Sequence, residues 1–211
     1  MSQLKSKKIG LTGDSICQGT GDGLGGYGKQ LADAYGMDVQ NIGVGGGTIA
    51  AGQVYGDQSE RFAICTSLQN LSANNDFIIM EGGINDSSLP VTMGEISTGF
   101  DAELNNETFC GGLEYMFKYA VTNFSGKKLG FIIPHNANNG FSFGGTYYEK
   151  AIELAKKWGI PVCDLNVNIP PLGRIASLKS TYTVSGDGWH PNELAYQTFY
   201  LPKIAAFLES L

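Results

Sequence analysis

Ile9-Gly10-Leu11-Thr12-Gly13-Asp14-Ser15-Ile16 is the first apolar run of the chain, and it ends on a glycine, an acid and a serine. The run Ile9–Thr12 has the length of a strand buried on both faces. It recurs at Val39–Val44, Phe77–Glu81, Leu129–Pro134 and Ile160–Leu165. Continuous rather than alternating hydrophobicity is what a parallel strand covered on both sides by helices requires. Between the runs, Leu113, Met116, Phe117, Ala120 and Val121 recur at helical spacing, as do Ile152, Leu154, Ala155 and Trp158. Glu193–Leu211 reads as a final helix bent at Pro202, which has no N–H to give. Strand and helix in alternation predict a three-layer α/β/α sandwich around a five-stranded parallel sheet, with right-handed crossovers and one domain over residues 1–211.

Sites in such folds lie beyond the carboxyl ends of the strands. Of the 30 glycines, clusters at Gly13 to Gly28, Gly43 to Gly56 and Gly82 to Gly83 fall there, where backbone must turn sharply or approach a ligand, with others at Gly111 to Gly112 and Gly186 to Gly188. The polar stretch Ser87–Glu107 reads as an insertion over the site, with His135–Gly145 as a second roof.

Composition narrows the class of function. With 211 residues, 42% hydrophobic and 16% charged, the chain is ordinary globular material. A formal charge of −6 argues against a nucleic-acid partner. No apolar run approaches the roughly 20 residues of a membrane span, and the opening Met1-Ser2-Gln3-Leu4-Lys5 has no signal-type apolar region. A cytoplasmic protein is expected as given, with a phage-associated or trimmed secreted form as the alternative. Cys17, Cys65, Cys110 and Cys163 are widely spaced and lack close Cys or His partners, so they read as reduced thiols, mostly in the core, and no metal is expected. No cofactor is expected either. The GxGxxG match Gly21–Gly26 begins too far beyond the first strand to be a dinucleotide loop.

Ser15 falls at the strand-to-helix turn, where free amides favour a developing anion; it reads equally as a helix cap. Far downstream, Ser185-Gly186-Asp187-Gly188-Trp189-His190-Pro191 sets an acid three positions before one of only two histidines. That spacing lets a carboxylate hold Nδ1–H while Nε2 faces a nucleophile. Asn41-Ile42-Gly43-Val44-Gly45-Gly46-Gly47-Thr48 and Gly82-Gly83-Ile84-Asn85-Asp86 offer further donors, as backbone amides and a carboxamide, to an oxyanion.

Together these blocks resemble the SGNH, or GDSL-type, hydrolases, a family of esterases and lipases with a flavodoxin-like fold. Gly13-Asp14-Ser15 resembles the first block, Gly45-Gly46-Gly47-Thr48 the second, Gly83-Ile84-Asn85-Asp86 the third and Asp187-Gly188-Trp189-His190-Pro191 the last. The resemblance implies Ser15 as nucleophile, His190 as base and Asp187 as its acid, with an oxyanion hole from Ser15, Gly46 and Asn85. Gly45 stands where many relatives carry serine; Gly46 is assigned as the donor among Gly45, Gly46 and Gly47. The segment Glu107-Thr108-Phe109-Cys110-Gly111-Gly112-Leu113 resembles bacterial and phage-associated members acting on carbohydrate esters.

The function expected is a serine esterase that hydrolyses small carboxylic esters, with O-acetyl groups on carbohydrate as first choice. A short-chain lipase or thioesterase is the runner-up, and a glycan-binding module of phage-tail type is the rival from another class. His135 and Asp86 are the candidate substrate contacts, although Asp86 also reads as a brace for the Asn85 turn. Tyr27, Tyr55, Phe141 and Phe143 are candidate platforms for a sugar or acyl chain.

Overall fold

The computed structural model describes residues 2–19, 25–56, 59–137 and 145–211. The elements run β1 (Lys8–Thr12), α1 (Ser15–Gln18), α2 (Gly26–Tyr35), β2 (Asp38–Asn41), α3 (Ile64–Ser67), β3 (Phe77–Glu81), α4 (Ile84–Ser88) and α5 (Phe109–Asn123). They continue with β4 (Lys128–Ile133), α6 (Gly145–Trp158), β5 (Val162–Asp164), α7 (Leu165–Asn168), α8 (Ala176–Tyr182), α9 (Glu193–Ala195), a π-helical turn at Tyr196–Tyr200 and α10 (Leu201–Ser210). All pairings are parallel and the sheet order is β2-β1-β3-β4-β5. Helices flank it as the apolar runs require.

The order places the site. From β1 the chain steps outward to β2 and then crosses back to β3 before moving the other way, so the loops leaving β1 and β3 diverge. That leaves a crevice at their carboxyl ends. Leu11 pairs in register with Ile79 and Thr12 with Met80, so Gly13-Asp14-Ser15 and Gly82–Asn85 emerge side by side. Strand β3 is buried along its whole length, with Ile78, Ile79 and Met80 fully enclosed.

The edge strands differ from the expectation of burial on both faces. β2 is partly exposed and stops at Asn41, whose side chain turns back to accept from Gly43 N and to donate to Cys17 O. β5 shrinks to Val162–Asp164 because Asp164 caps the helix that follows, accepting from Asn166 N and Val167 N. The expected bend at Pro202 takes the form of the π-helical turn just before it, in which Leu201 N–H reaches back to Tyr196 O. Proline cannot supply the next α-type bond. The wider turn directs both Tyr196 and Tyr200 into the core.

All four cysteines are free and buried. The expected roof Ser87–Glu107 is largely held away from the crevice. Ser97 N donates to the buried Glu114 of α5 at 2.7 Å, and Lys157 of α6 pairs with the same carboxylate. Among the described residues no helix is long and apolar enough to cross a membrane.

Candidate active site

Asp14 rather than Ser15 caps the short helix after β1. Its Oδ1 accepts from Ile16 N at 2.8 Å, which frees the Ser15 hydroxyl for other work. Ser15 lies in the first turn, only slightly exposed, with its oxygen at the mouth of the crevice. Gly13 is required by close approach: a Cβ there would sit against the carboxyl of Glu81 and against Cys17. Tyr196 OH donates to Ile16 O at 2.9 Å and so ties this turn to the C-terminal segment.

Beside it runs the loop after β2. Gly45 N donates to Gln18 Oε1 at 2.7 Å, and Gly47 N donates to Val44 O at 3.0 Å. Gly46 lies between them at φ +76°, a left-handed conformation that glycine adopts at least strain. The Gly46 carbonyl accepts from Arg61 Nη1 at 2.7 Å. Asn85 Nδ2 donates to Gly47 O at 2.9 Å, with a longer 3.4 Å contact to Asp14 Oδ2. Asp86 is fully buried; its two oxygens accept from Ile49 N at 2.9 Å and Ala50 N at 3.1 Å, pinning this loop to α4. Burial raises its carboxyl to about 7 against the pull of those amides.

The third contribution comes from the turn before α9. Ser185, Gly186 and Gly188 take positive φ, and Asp187 Oδ1 accepts from Trp189 N at 2.8 Å and His190 N at 3.0 Å. Asp187 Oδ2 lies 2.6 Å from His190 Nδ1, and His190 Nε2 lies 3.1 Å from Ser15 Oγ. Partial burial works against ionisation of Asp187, but the amides of Trp189 and His190 and the imidazole outweigh it and hold the carboxyl below its ordinary value. An ionised acid, an imidazole and a hydroxyl thus stand in hydrogen-bonded series.

These groups open onto a cleft of about 340 Å³. Ser15, Asn85 and His190 line one side, and Ile16, Ile84, Leu89, Tyr55 and Trp189 make the rest largely apolar. This differs from the polar roof expected from composition, because only Ser88 and Leu89 of Ser87–Glu107 border the cleft.

Two expected substrate contacts are corrected. His135 is fully buried, with Nδ1 2.6 Å from Tyr200 OH, and burial lowers its basicity to about 4. Asp86 spends both oxygens on the loop amides, as its reading as a brace implied. Tyr27 is buried, whereas Tyr55 is exposed at the cleft wall. Phe141, Phe143 and Gly21–Leu24 of the glycine run lie outside the described residues. Sequence reasoning missed Arg61, Gln18 and Glu81. A charged residue closing an otherwise apolar run was the only signal for Glu81. Among the described residues no cluster of three or more His, Cys, Asp or Glu side chains could hold a metal ion.

A flavodoxin-like sheet with a serine, a histidine and an acid meeting at its β1/β3 crevice defines the hydrolase class. The chain belongs to the GDSL-like lipase/acylhydrolase family, whose model matches residues 11–198. Its fold is similar to that of a protein from Lactobacillus plantarum, at 23% identity over 99% of each chain and a TM-score of 0.81. It is also similar to the aryl esterase of M. smegmatis, at 17% identity over 97% of this chain and 99% of that one, with a TM-score of 0.62. A carbohydrate acetylesterase family member from Sinorhizobium meliloti matches at 17% identity over 96% of this chain and 99% of that one, with a TM-score of 0.58. Among curated proteins none matches this chain.

Proposed function

We propose that the protein is a serine esterase acting on small carboxylic esters through an acyl-Ser15 intermediate. The observation that carries this reading is the series Ser15 Oγ, His190 and Asp187, with its 3.1 Å and 2.6 Å contacts. His190 Nε2 takes the hydroxyl proton as Ser15 Oγ attacks the ester carbonyl, and Asp187 holds Nδ1–H and stabilises the imidazolium. The imidazolium then returns the proton to the leaving alcohol oxygen as the C–O bond breaks. A water molecule, deprotonated by His190, attacks the acyl-enzyme and releases the acid and Ser15.

The tetrahedral oxyanion is assigned to Ser15 N, Gly46 N and Asn85 Nδ2. Elimination supports Gly46: Gly45 N and Gly47 N are already committed to Gln18 and Val44. Asn85 lines the cleft, and among the described residues its second N–H makes a long contact to Asp14 Oδ2 that a stronger acceptor can displace. Each such donor is worth about 10²–10³ in kcat.

For the substrate, the reading is a short acyl group, acetyl first, esterified to a carbohydrate hydroxyl. The exposed ring of Tyr55 and the partly exposed Trp189, close to Ser15, support it as faces on which a sugar ring can lie. The likeness to the S. meliloti protein points the same way. The apolar wall of Ile16, Ile84 and Leu89 favours a second reading, a short-chain lipid or aryl ester.

A fluorophosphonate probe tests the chemistry. It is expected to label the wild-type protein on Ser15 and to leave Ser15→Ala unlabelled, inactive and of near-parental Tm. Cys17→Ala should keep substantial activity, because burial pushes that thiol well above its ordinary range. Labelling of Ser15→Ala would place the nucleophile elsewhere.

A further inference from the structure

Glu81 closes β3 directly beneath the Ser15 turn and is fully buried. Its Oε2 accepts from Asp14 N at 3.2 Å, while Oε1 has no hydrogen-bond partner among the described residues. Asp14, equally buried, carries two contacts outward: Oδ1 to Ile16 N in the nucleophile helix and Oδ2 toward Asn85 Nδ2. A carboxyl that the reaction scheme does not use therefore underlies both the nucleophile and an assigned oxyanion donor.

We propose that Glu81 is a positioning residue for ester hydrolysis: by accepting from Asp14 N it seats Asp14 and, through the Asp14 cap, the Ser15 turn. The inference rests on the reading of Ser15 as the nucleophile. The groups that face this pair are Cys17, Tyr27, Tyr200, Asp86 and His190, and of these only His190 can carry positive charge. Two ionised carboxyls enclosed together would repel without compensation. Burial first, and then the charge of Asp14, drive Glu81 well above the carboxylate range, whereas Asp14 rises to about 6. Asp14 accepts from Ile16 N through Oδ1 and faces Asn85 Nδ2 through Oδ2.

The test compares Glu81→Gln, which is neutral and of the same shape, with Glu81→Met, which is of similar volume but makes no hydrogen bond. Fluorophosphonate titration of each counts the competent Ser15 sites, so that kcat is expressed per site and misfolded protein drops out. Glu81→Gln, which keeps an acceptor for Asp14 N, is expected to hold kcat within about threefold of wild type. Glu81→Met is expected to lose at least about tenfold in kcat per site with KM changed less than about twofold, the pattern of lost transition-state alignment. A Glu81→Met enzyme with wild-type kcat per site would overturn the proposal, as a purely structural carboxyl would lower only Tm. So would a Glu81→Gln variant that falls as far as Glu81→Met or fails to fold. Labelling retained on Ser15 in every variant keeps these outcomes separate from failure of the nucleophile assignment itself.

Discussion

Ser15 and His190 stand 175 positions apart in the chain and 3.1 Å apart in the folded protein. Their meeting depends on two local turns and one long-range docking. The Asp14 cap presents the serine, the Asp187 turn presents the imidazole, and Tyr196 bonds Ile16 O to hold the two ends of the chain together. A change at any of the three should be felt at the Ser15 hydroxyl.

Asp187→Asn keeps the shape of the turn but replaces the carboxylate that receives Nδ1–H, so the imidazole is free to take the wrong tautomer. A loss of about 10³–10⁴ in kcat is expected, with KM little changed. Steady-state kinetics on p-nitrophenyl acetate would measure it, and wild-type kcat in the variant would remove Asp187 from the series.

Arg61 anchors Gly46 by donating to its carbonyl, and its guanidinium lies 6.0 Å from the centre of the Tyr55 ring. Arg61→Met is expected to lower kcat about tenfold by letting the Gly46 peptide rotate, while Tm moves by only a few degrees. A rise in KM with kcat intact would instead show that Arg61 acts on the bound substrate.

His135 gives a pH dependence whose sign follows from its burial. Above about pH 6.5 the imidazole is neutral in folded and unfolded chains alike, and the folded state loses nothing. Between there and its folded value of about 4 only the unfolded chain takes up the proton, so stability falls with falling pH. The total loss is about 3 kcal/mol. Urea unfolding at pH 7 and pH 4 is expected to show wild type losing about that much more than His135→Gln. Asp14 and Asp86, whose raised carboxyls act in the opposite direction, are common to both proteins and cancel in the difference. Parallel pH dependences would contradict the assignment.

Acyl chain length separates a pocket for a short acyl group from one for a longer lipid chain. Turnover is expected to peak at acetyl or propionyl and to fall about tenfold by octanoyl, or roughly 1.4 kcal/mol in transition-state binding. Leu89 lines the cleft, and Leu89→Ala is expected to move the optimum toward longer chains. An optimum at octanoyl in the parent enzyme would favour the lipid reading and leave the Ser15 chemistry untouched.

The layered fold was legible because each buried strand needs its own unbroken apolar run, and such runs are visible one residue at a time. The strand limits were less so: Asn41 and Asp164 end β2 and β5 through side-chain bonds to nearby backbone, which hydrophobicity does not register. The Asp187 to His190 contact was legible too, since a turn of three residues brings its own ends together.

What the sequence alone determined is therefore what short-range chemistry carries: the alternation of elements, the glycine turns at the strand ends and the residue types able to attack, relay and stabilise charge. Only the tertiary structure decided which of them share a site. It brought Ser15 to His190, turned His135 and Asp86 inward to Tyr200 and to the loop amides, and set Glu81 beneath Asp14. The physical reason is that burial and hydrogen-bond partnership belong to pairs of segments. A histidine or a carboxylate reads the same along the chain whether its neighbours in space leave it facing a cleft or enclose it.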